Sequence, residues 1–208
     1  MSASVIITGL DKWERFTKPC INSIVETNIS MSVVVVDNGS AVPYEKHRPC
    51  FTLVRNPERG SLSEGLNMGW IEAGKQDWYI FTNNDVLFHQ PIYDRLHALS
   101  PDNLYGFMLY DNVFTRPYLS GWCLFVSWKL ISAVGLFDEK FAPMWFEDAD
   151  YSFRSVDKGF GLVELKREEW GIEHLGRGAE RKDLINKYIG KRTNNRKHLE
   201  KKHGVTSL

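Results

Sequence analysis

A chain of 208 residues with 43% apolar and 25% charged residues has the composition of an ordinary globular protein, and its length suits one domain with a sizeable core. The 26 basic and 26 acidic residues cancel, which argues against a globally basic nucleic-acid binder. Cys20, Cys50 and Cys123 are odd in number and widely spaced, which argues against a disulfide framework or a CxxC-type zinc module.

Ser4 to Thr8 reads as a short buried strand. Apolar residues then recur with a helical period from Lys12 to Thr27. Met31 to Val36 is a valine-rich strand closed by the turn Asp37-Asn38-Gly39-Ser40. Phe51 to Arg55 is a third strand, Gly60 to Gly74 a loop entering a helix, and Trp78 to Thr82 a fourth strand. Strands alternating with helices predict an α/β domain with a largely parallel sheet. Further on, the pattern predicts strands over Leu104 to Tyr110 and Leu119 to Val126 and a short helix over Trp128 to Val134. A helix over Glu147 to Lys158 and a strand over Gly161 to Leu165 follow. Arg177 to Lys202 reads as an exposed helix with a break at Gly190. From Arg177 onward ten basic residues face three acids, so the tail carries +7 and the body −7. The chain opens without a charged, apolar leader, and no apolar run approaches the ~18 residues that span a bilayer. A soluble, cytoplasmic protein is the expectation.

In an open α/β sheet, ligands bind beyond the carboxyl ends of the strands. Thr8, the Asp37-Asn38-Gly39-Ser40 turn and Asn83-Asn84-Asp85 all fall at such ends. Asp37 has the chemistry to accept from a base or a ribose, and its segment reads equally well as a plain turn. Gly60 to Gly69 can bring backbone N–H groups near a phosphate or a sugar, although it lacks the P-loop pattern. Asp85 is a hard oxygen ligand for Mg²⁺ or Mn²⁺. His174 offers an imidazole ligand, a structural or exposed histidine being the alternative. Glu147, Asp148 and Asp150 crowd one helix start. Neighbours on a helix point about 100° apart, so the three must divide their roles. Asp150 is spaced to pair with Arg154.

In this order the residues resemble family 2 glycosyltransferases. Val33 to Ser40 is similar to that family's strand and turn, and Asn56 to Gly69 to its glycine-rich nucleotide-sugar loop. Phe81 to Val86 resembles its DxD-type element in an Asn-Asn-Asp version found among rhamnosyltransferase-like members. Ser120 to Phe125, Val134 to Glu139 and Phe146 to Tyr151 follow its central signature, and His174-Leu175-Gly176 its late metal-binding histidine. Asn83 stands where the first aspartate of DxD would be.

The resemblance implies a GT-A fold: a Rossmann-like mixed, largely parallel sheet flanked by helices, over residues 1–176, with 177–208 a basic helical extension packed on it. It implies inverting transfer from a nucleoside diphosphate sugar, a UDP- or dTDP-sugar first, to an acceptor hydroxyl that it does not name. Asp148 is then the general base, with Glu147 second. Asp85 and His174 hold Mn²⁺ or Mg²⁺. Thr8, Asp37, Asn38, Gly65, Asn67, Asn83, Asn84 and Trp122 contact the nucleotide sugar. Trp145 is a second candidate to stack on a sugar, and Arg177 and Arg181 are candidates to reach the diphosphate. The basic tail suits an anionic partner, either a lipid surface at the inner face of a membrane or a nucleic acid. Two rivals remain: an inactive carbohydrate-binding scaffold, for which Asn83 speaks, and a nucleotidyltransferase.

Overall fold

The computed structural model describes every residue except Ile29, His47, Arg48 and Arg177, and only the backbone course of 178–185. The first half follows the alternation in the sequence. β1 (Ala3–Gly9) leads through a π-helical turn at Trp13–Thr17 into α1 (Lys18–Thr27), and β2 (Ser32–Asp37) and β3 (Thr52–Arg55) follow. The expected helix over 12–27 starts irregularly because Asp11 and Lys12 have φ of 54° and 57°. α2 (Leu62–Ala73) begins at a capping box in which the Ser61 hydroxyl accepts from the Glu64 N–H and the Glu64 carboxylate accepts from the Ser61 N–H. β4 (Trp78–Asn83), β5 (Val86–Phe88), a 3₁₀ turn at Asp94–Ala98 and β6 (Asn103–Gly106) come next.

β7 (Leu109–Tyr110) pairs with β8 (Tyr118–Leu119), and β9 (Cys123–Ser127) runs into α3 (Trp128–Val134). Here the two long strands expected over 104–110 and 119–126 are each divided. Ser120 donates its N–H to Met108 O and Gly121 donates to Asp148, so the chain between β8 and β9 turns aside. α4 (Glu147–Asp157), β10 (Gly161–Glu164), α5 (Arg167–Trp170), β11 (Ile172–His174) and α6 (Gly178–His203) complete the order. α6 kinks at Tyr188, with φ −118° and ψ 22°, rather than at Gly190.

The main sheet has seven strands in the order β10-β6-β9-β4-β1-β2-β3. β9 runs antiparallel to β4 and β6, and every other pairing in this sheet is parallel. β5 and β11 form a small antiparallel pair beside it. The fold class is therefore the expected mixed, largely parallel α/β sheet flanked by helices.

Central parallel strands are covered on both faces and so read as continuous apolar runs. Val5, Ile7, Val33 and Val35 pack with Cys20, Ile21 and Ile24 of α1 on one face. Ile6 packs with Leu66 of α2 and Leu130 of α3 on the other. α2 lies close on β1: a methyl group at Gly69 would sit 2.4 Å from Ile6 Cγ2, and one at Gly65 would sit 2.5 Å from Thr8 Cγ2. A third cluster joins Phe146, Ala149 and Phe153 of the α4 region to Leu199 of α6 and to Val205.

Candidate active site

Strand register collects the site. β1 pairs with β4 so that Thr8 faces Asn83, and with β2 so that Gly9 faces Asp37. Beyond β4 the chain turns at Asn84-Asp85 into β5. There β11 pairs antiparallel, with His174 opposite Val86 and the Leu175 N–H donating to Asp85 O at 2.9 Å. This register brings His174 Nε2 to 3.3 Å from Asp85 Oδ1, with both side chains partly exposed, at 23% and 20%.

The carboxylates of α4 reach the same place through two consecutive residues. Gly121 N donates to Asp148 Oδ2 at 2.9 Å, and Ala149 N donates to Asp148 Oδ1 at 2.8 Å. Trp122, the next residue, lies flat on the His174 imidazole, with ring centroids 4.7 Å apart and planes 8° apart. Trp122 O in turn accepts from Asn83 N at 2.9 Å. The approach to Asp148 needs glycine at 121, because a methyl group there would fall 2.8 Å from Asp148 Cβ. A glycine interrupting a strand pattern signals such a close approach.

Glu147 and Asp148 are adjacent but differ in setting. Glu147 is buried, and burial, with the Asp148 charge as a second cause, pushes its carboxyl up to about 8. Asp148 is half-buried and fixed by the two backbone N–H groups. Asp150 is fully buried and pairs with Arg154 Nε at 2.8 Å, as its spacing predicts, and also with Lys202 and His203 of α6. The three acids thus divide their roles.

Several expected nucleotide-sugar contacts do structural work. Asp37 Oδ1 accepts from Ser40 N, and its Oδ2 accepts from Tyr44 N and Arg55 Nη1. Burial alone would raise the Asp37 carboxyl. The Ser40 hydroxyl, the N–H groups of Tyr44 and Ser40, and Arg55 outweigh burial and hold it below the usual range. All of these bonds belong to the turn reading of this segment. The Asn38 amide donates to Gly60 O and Ser61 O and so anchors the glycine-rich loop. Asn67 is occupied by Phe137 and Glu139, and Asn84 donates to Thr17 Oγ1 at 2.9 Å. Trp122 is only 5% exposed, and one face of its ring covers the His174 imidazole. Trp145 is half-exposed beside Tyr188. Arg177 and the side chain of Arg181 lie outside the described residues.

Thr8 Oγ1, Trp122 Nε1 and Glu147 Oε2 are buried polar atoms without a partner among the described residues. Such atoms are costly unless something else satisfies them, and a bound ligand is one such partner. A cavity of about 290 Å³ adjoins His174, lined by His89, Arg167 and Glu173 among others. A second, of about 340 Å³, lies at the opposite end of β4, near Trp78 and Trp128 and away from these groups.

The whole chain was compared with known proteins. No protein-family model matches it, and no curated protein matches it by sequence. Solved structures do match. GalNAc-T7 with UDP, GalNAc and Mn²⁺ aligns with a TM-score of 0.66 at 11% identity, over 79% of this chain and 42% of that one. The mannosyltransferase PcManGT from Pyrobaculum calidifontis, in complex with GDP-Man and Mn²⁺, aligns at 0.60 and 15%, over 79% and 54%. S. aureus TarS aligns at 0.62 and 15%, over 80% and 36%. The chain has the GT-A fold. It spans about half or less of the length of these neighbours. On a GT-A sheet, the carboxyl edge where Thr8, Asn83, Asp85 and Asp148 gather is the ligand-binding edge that α/β topology predicts.

Proposed function

We propose that this chain is a glycosyltransferase that moves a sugar from a nucleoside diphosphate donor to an acceptor hydroxyl, with inversion at the anomeric carbon. One observation carries the reading. Consecutive residues Gly121 and Trp122 hold Asp148 on one side and the His174–Asp85 pair on the other, at the carboxyl edge of a GT-A sheet. A carboxylate suited to take a proton therefore stands beside a carboxylate–imidazole pair suited to a cation.

Asp85 and His174 fit a divalent ion. Their donor atoms are 3.3 Å apart, near enough that both would hold the same ion. A carboxylate oxygen with an imidazole suits Mn²⁺. Among the described residues no group of three or more such side chains forms, so diphosphate oxygens and water would complete the shell. The ion, Mn²⁺ or Mg²⁺, supplies positive charge for the leaving diphosphate.

Asp148 takes the proton from the acceptor O–H as its oxygen bonds to the anomeric carbon. The bond from that carbon to the diphosphate oxygen breaks, and the electron pair leaves with the nucleoside diphosphate. Glu147, pushed up to about 8 by burial, holds its proton near pH 7 and is not the group that takes the acceptor's. UDP- and dTDP-sugars are the first donors to test, and GDP-mannose joins them because PcManGT was solved with it.

Asp148→Asn and Asp148→Ala should each lower transfer by roughly a hundred- to ten-thousand-fold while leaving nucleotide affinity nearly unchanged. Initial rates with radiolabelled donor, set beside calorimetric binding, check this. Wild-type turnover in both variants would remove Asp148 from the mechanism. Asn83, at the first DxD position, favours a second reading, a sugar-nucleotide binding protein without turnover. Donor binding with no transfer to any acceptor and no hydrolysis would support that reading.

A further inference from the structure

The loop before α4 is held in a costly conformation by a helix remote in sequence. Trp145 and Phe146 have φ of 77° and 71°, a left-handed backbone that bulky residues rarely adopt. Phe146 is the N-cap of α4 and its side chain caps nothing, so the helix start relies on this loop. Two residues later comes Asp148.

Asn195 of α6 reaches the loop. Its side-chain amide donates to Met144 O at 3.0 Å and Ala142 O at 3.2 Å, with a longer, shared contact to Trp145 O at 3.4 Å. Asn195 is 6% exposed, on a helix whose neighbouring positions are largely charged and open to solvent. Other contacts follow the same direction. The Arg192 guanidinium sits 5.7 Å from the Phe146 ring, and Tyr188 is beside Trp145. On the far side of Asp148, Lys202 and His203 grip Asp150 at 2.6 and 2.7 Å. The intervening carbonyl, Pro143 O, accepts from Leu62 N at the start of α2, at 2.8 Å.

We propose that Asn195 is a positioning residue for the reaction: by tying three carbonyls of 142–145 to α6, it fixes the left-handed loop that aims Asp148 at Gly121 and the acceptor. The inference rests on the glycosyltransferase reading. The donor side of the site stands on β1, β2 and β4 and does not touch Asn195. Loss of the tie therefore acts on the carboxylate and spares the nucleotide. Displacement of a reacting group by about 1 Å can cost ~100-fold in rate, so a loop relaxation of that size is enough.

The test joins kinetics to amide hydrogen exchange on the full chain. In Asn195→Ala, kcat should fall about 100-fold with donor KM within about twofold of wild type. Asn195→Asp keeps the shape but has no N–H donor and should fall as far, whereas Asn195→Gln, which retains the amide, should recover part of the rate. Exchange at the amides of 145–150 should speed up at least about tenfold in Asn195→Ala while β1 and β4 keep their protection. Unchanged kcat in both variants overturns the proposal, and so does an equal loss of kcat and nucleotide binding. Should the wild-type protein turn over no donor, the reaction reading fails. The exchange experiment still decides the tie: acceleration confined to 145–150 upholds it, and none, or a uniform one, refutes it.

Discussion

Glu147 and Asp148 share a backbone turn and differ in setting: Glu147 is buried, whereas Asp148 is half-buried and accepts from two backbone N–H groups. Glu147 is 6% exposed and its Oε2 has no partner, so ionising it means placing a charge in a poor solvent next to another carboxylate. Its carboxyl is raised from 4.5 to about 8, so the folded protein holds a proton that the unfolded chain has released. Between those values the unfolded state binds fewer protons, and stability falls as pH rises. The slope from this group can reach about 1.4 kcal/mol per pH unit and flattens above pH ~8. Glu147→Gln should remove that slope. Chemical denaturation of both proteins from pH 5 to 9 checks it, and parallel curves would place the Glu147 proton elsewhere.

Among the elements, α4 is the one whose placement matters most, and it is fixed from three directions. Its Ala149 and Phe153 enter the core cluster shared with Leu199 of α6, Gly121 meets its first turn, and Asp150 anchors its buried side. Burial would raise the Asp150 carboxyl, but Arg154, Lys202 and His203 hold it below 3.8. That stabilisation is present above the ordinary carboxylate value and is lost as pH falls through the lower, folded value. Asp150→Ala leaves three cationic or hydrogen-bonding partners around an empty place and should cost about 3 kcal/mol. It should also loosen α6, readable as a lower midpoint in urea together with faster exchange in 186–203. An unchanged midpoint would show that the apolar cluster alone holds α6.

The sequence was most legible where one physical rule dominates an element. The buried parallel strands β1, β2 and β4 declare themselves by continuous apolar runs, and α2 by the glycine-punctuated loop that enters it. Strands 104–110 and 119–126 were read too long, because the bend at Ser120-Gly121 is imposed by Asp148, more than 25 positions away along the chain. Hydrogen bonds between distant residues leave no periodicity. For the same reason Asn195 gives no signal, and the partners that Asn67 and Trp122 find within the chain, Phe137, Glu139 and His174, are invisible in the sequence. The i,i+4 pair of Asp150 with Arg154 is local, and it was legible.

At the scale of the molecule, an acidic body and a basic tail meet at α4. Lys202 spans Asp138 and Asp150, at 2.7 and 2.6 Å, so part of the tail's charge is spent inside the fold. Lys191, Lys197 and Lys201 remain exposed on α6. We propose that an anionic partner, if the acceptor brings one, meets that face. No helix among the described residues is long and apolar enough to cross a membrane. At the carboxyl edge of the sheet, β1, β4 and β11 gather Thr8, Asp85 and His174. The most direct measurement is calorimetric binding of UDP, dTDP and GDP to the full chain, with and without Mn²⁺, for wild type and Asp85→Ala. At least one nucleoside diphosphate should bind wild type more tightly with Mn²⁺, and Asp85→Ala should lose this gain while keeping the fold. Failure of all three to bind, with or without the metal, would contradict it.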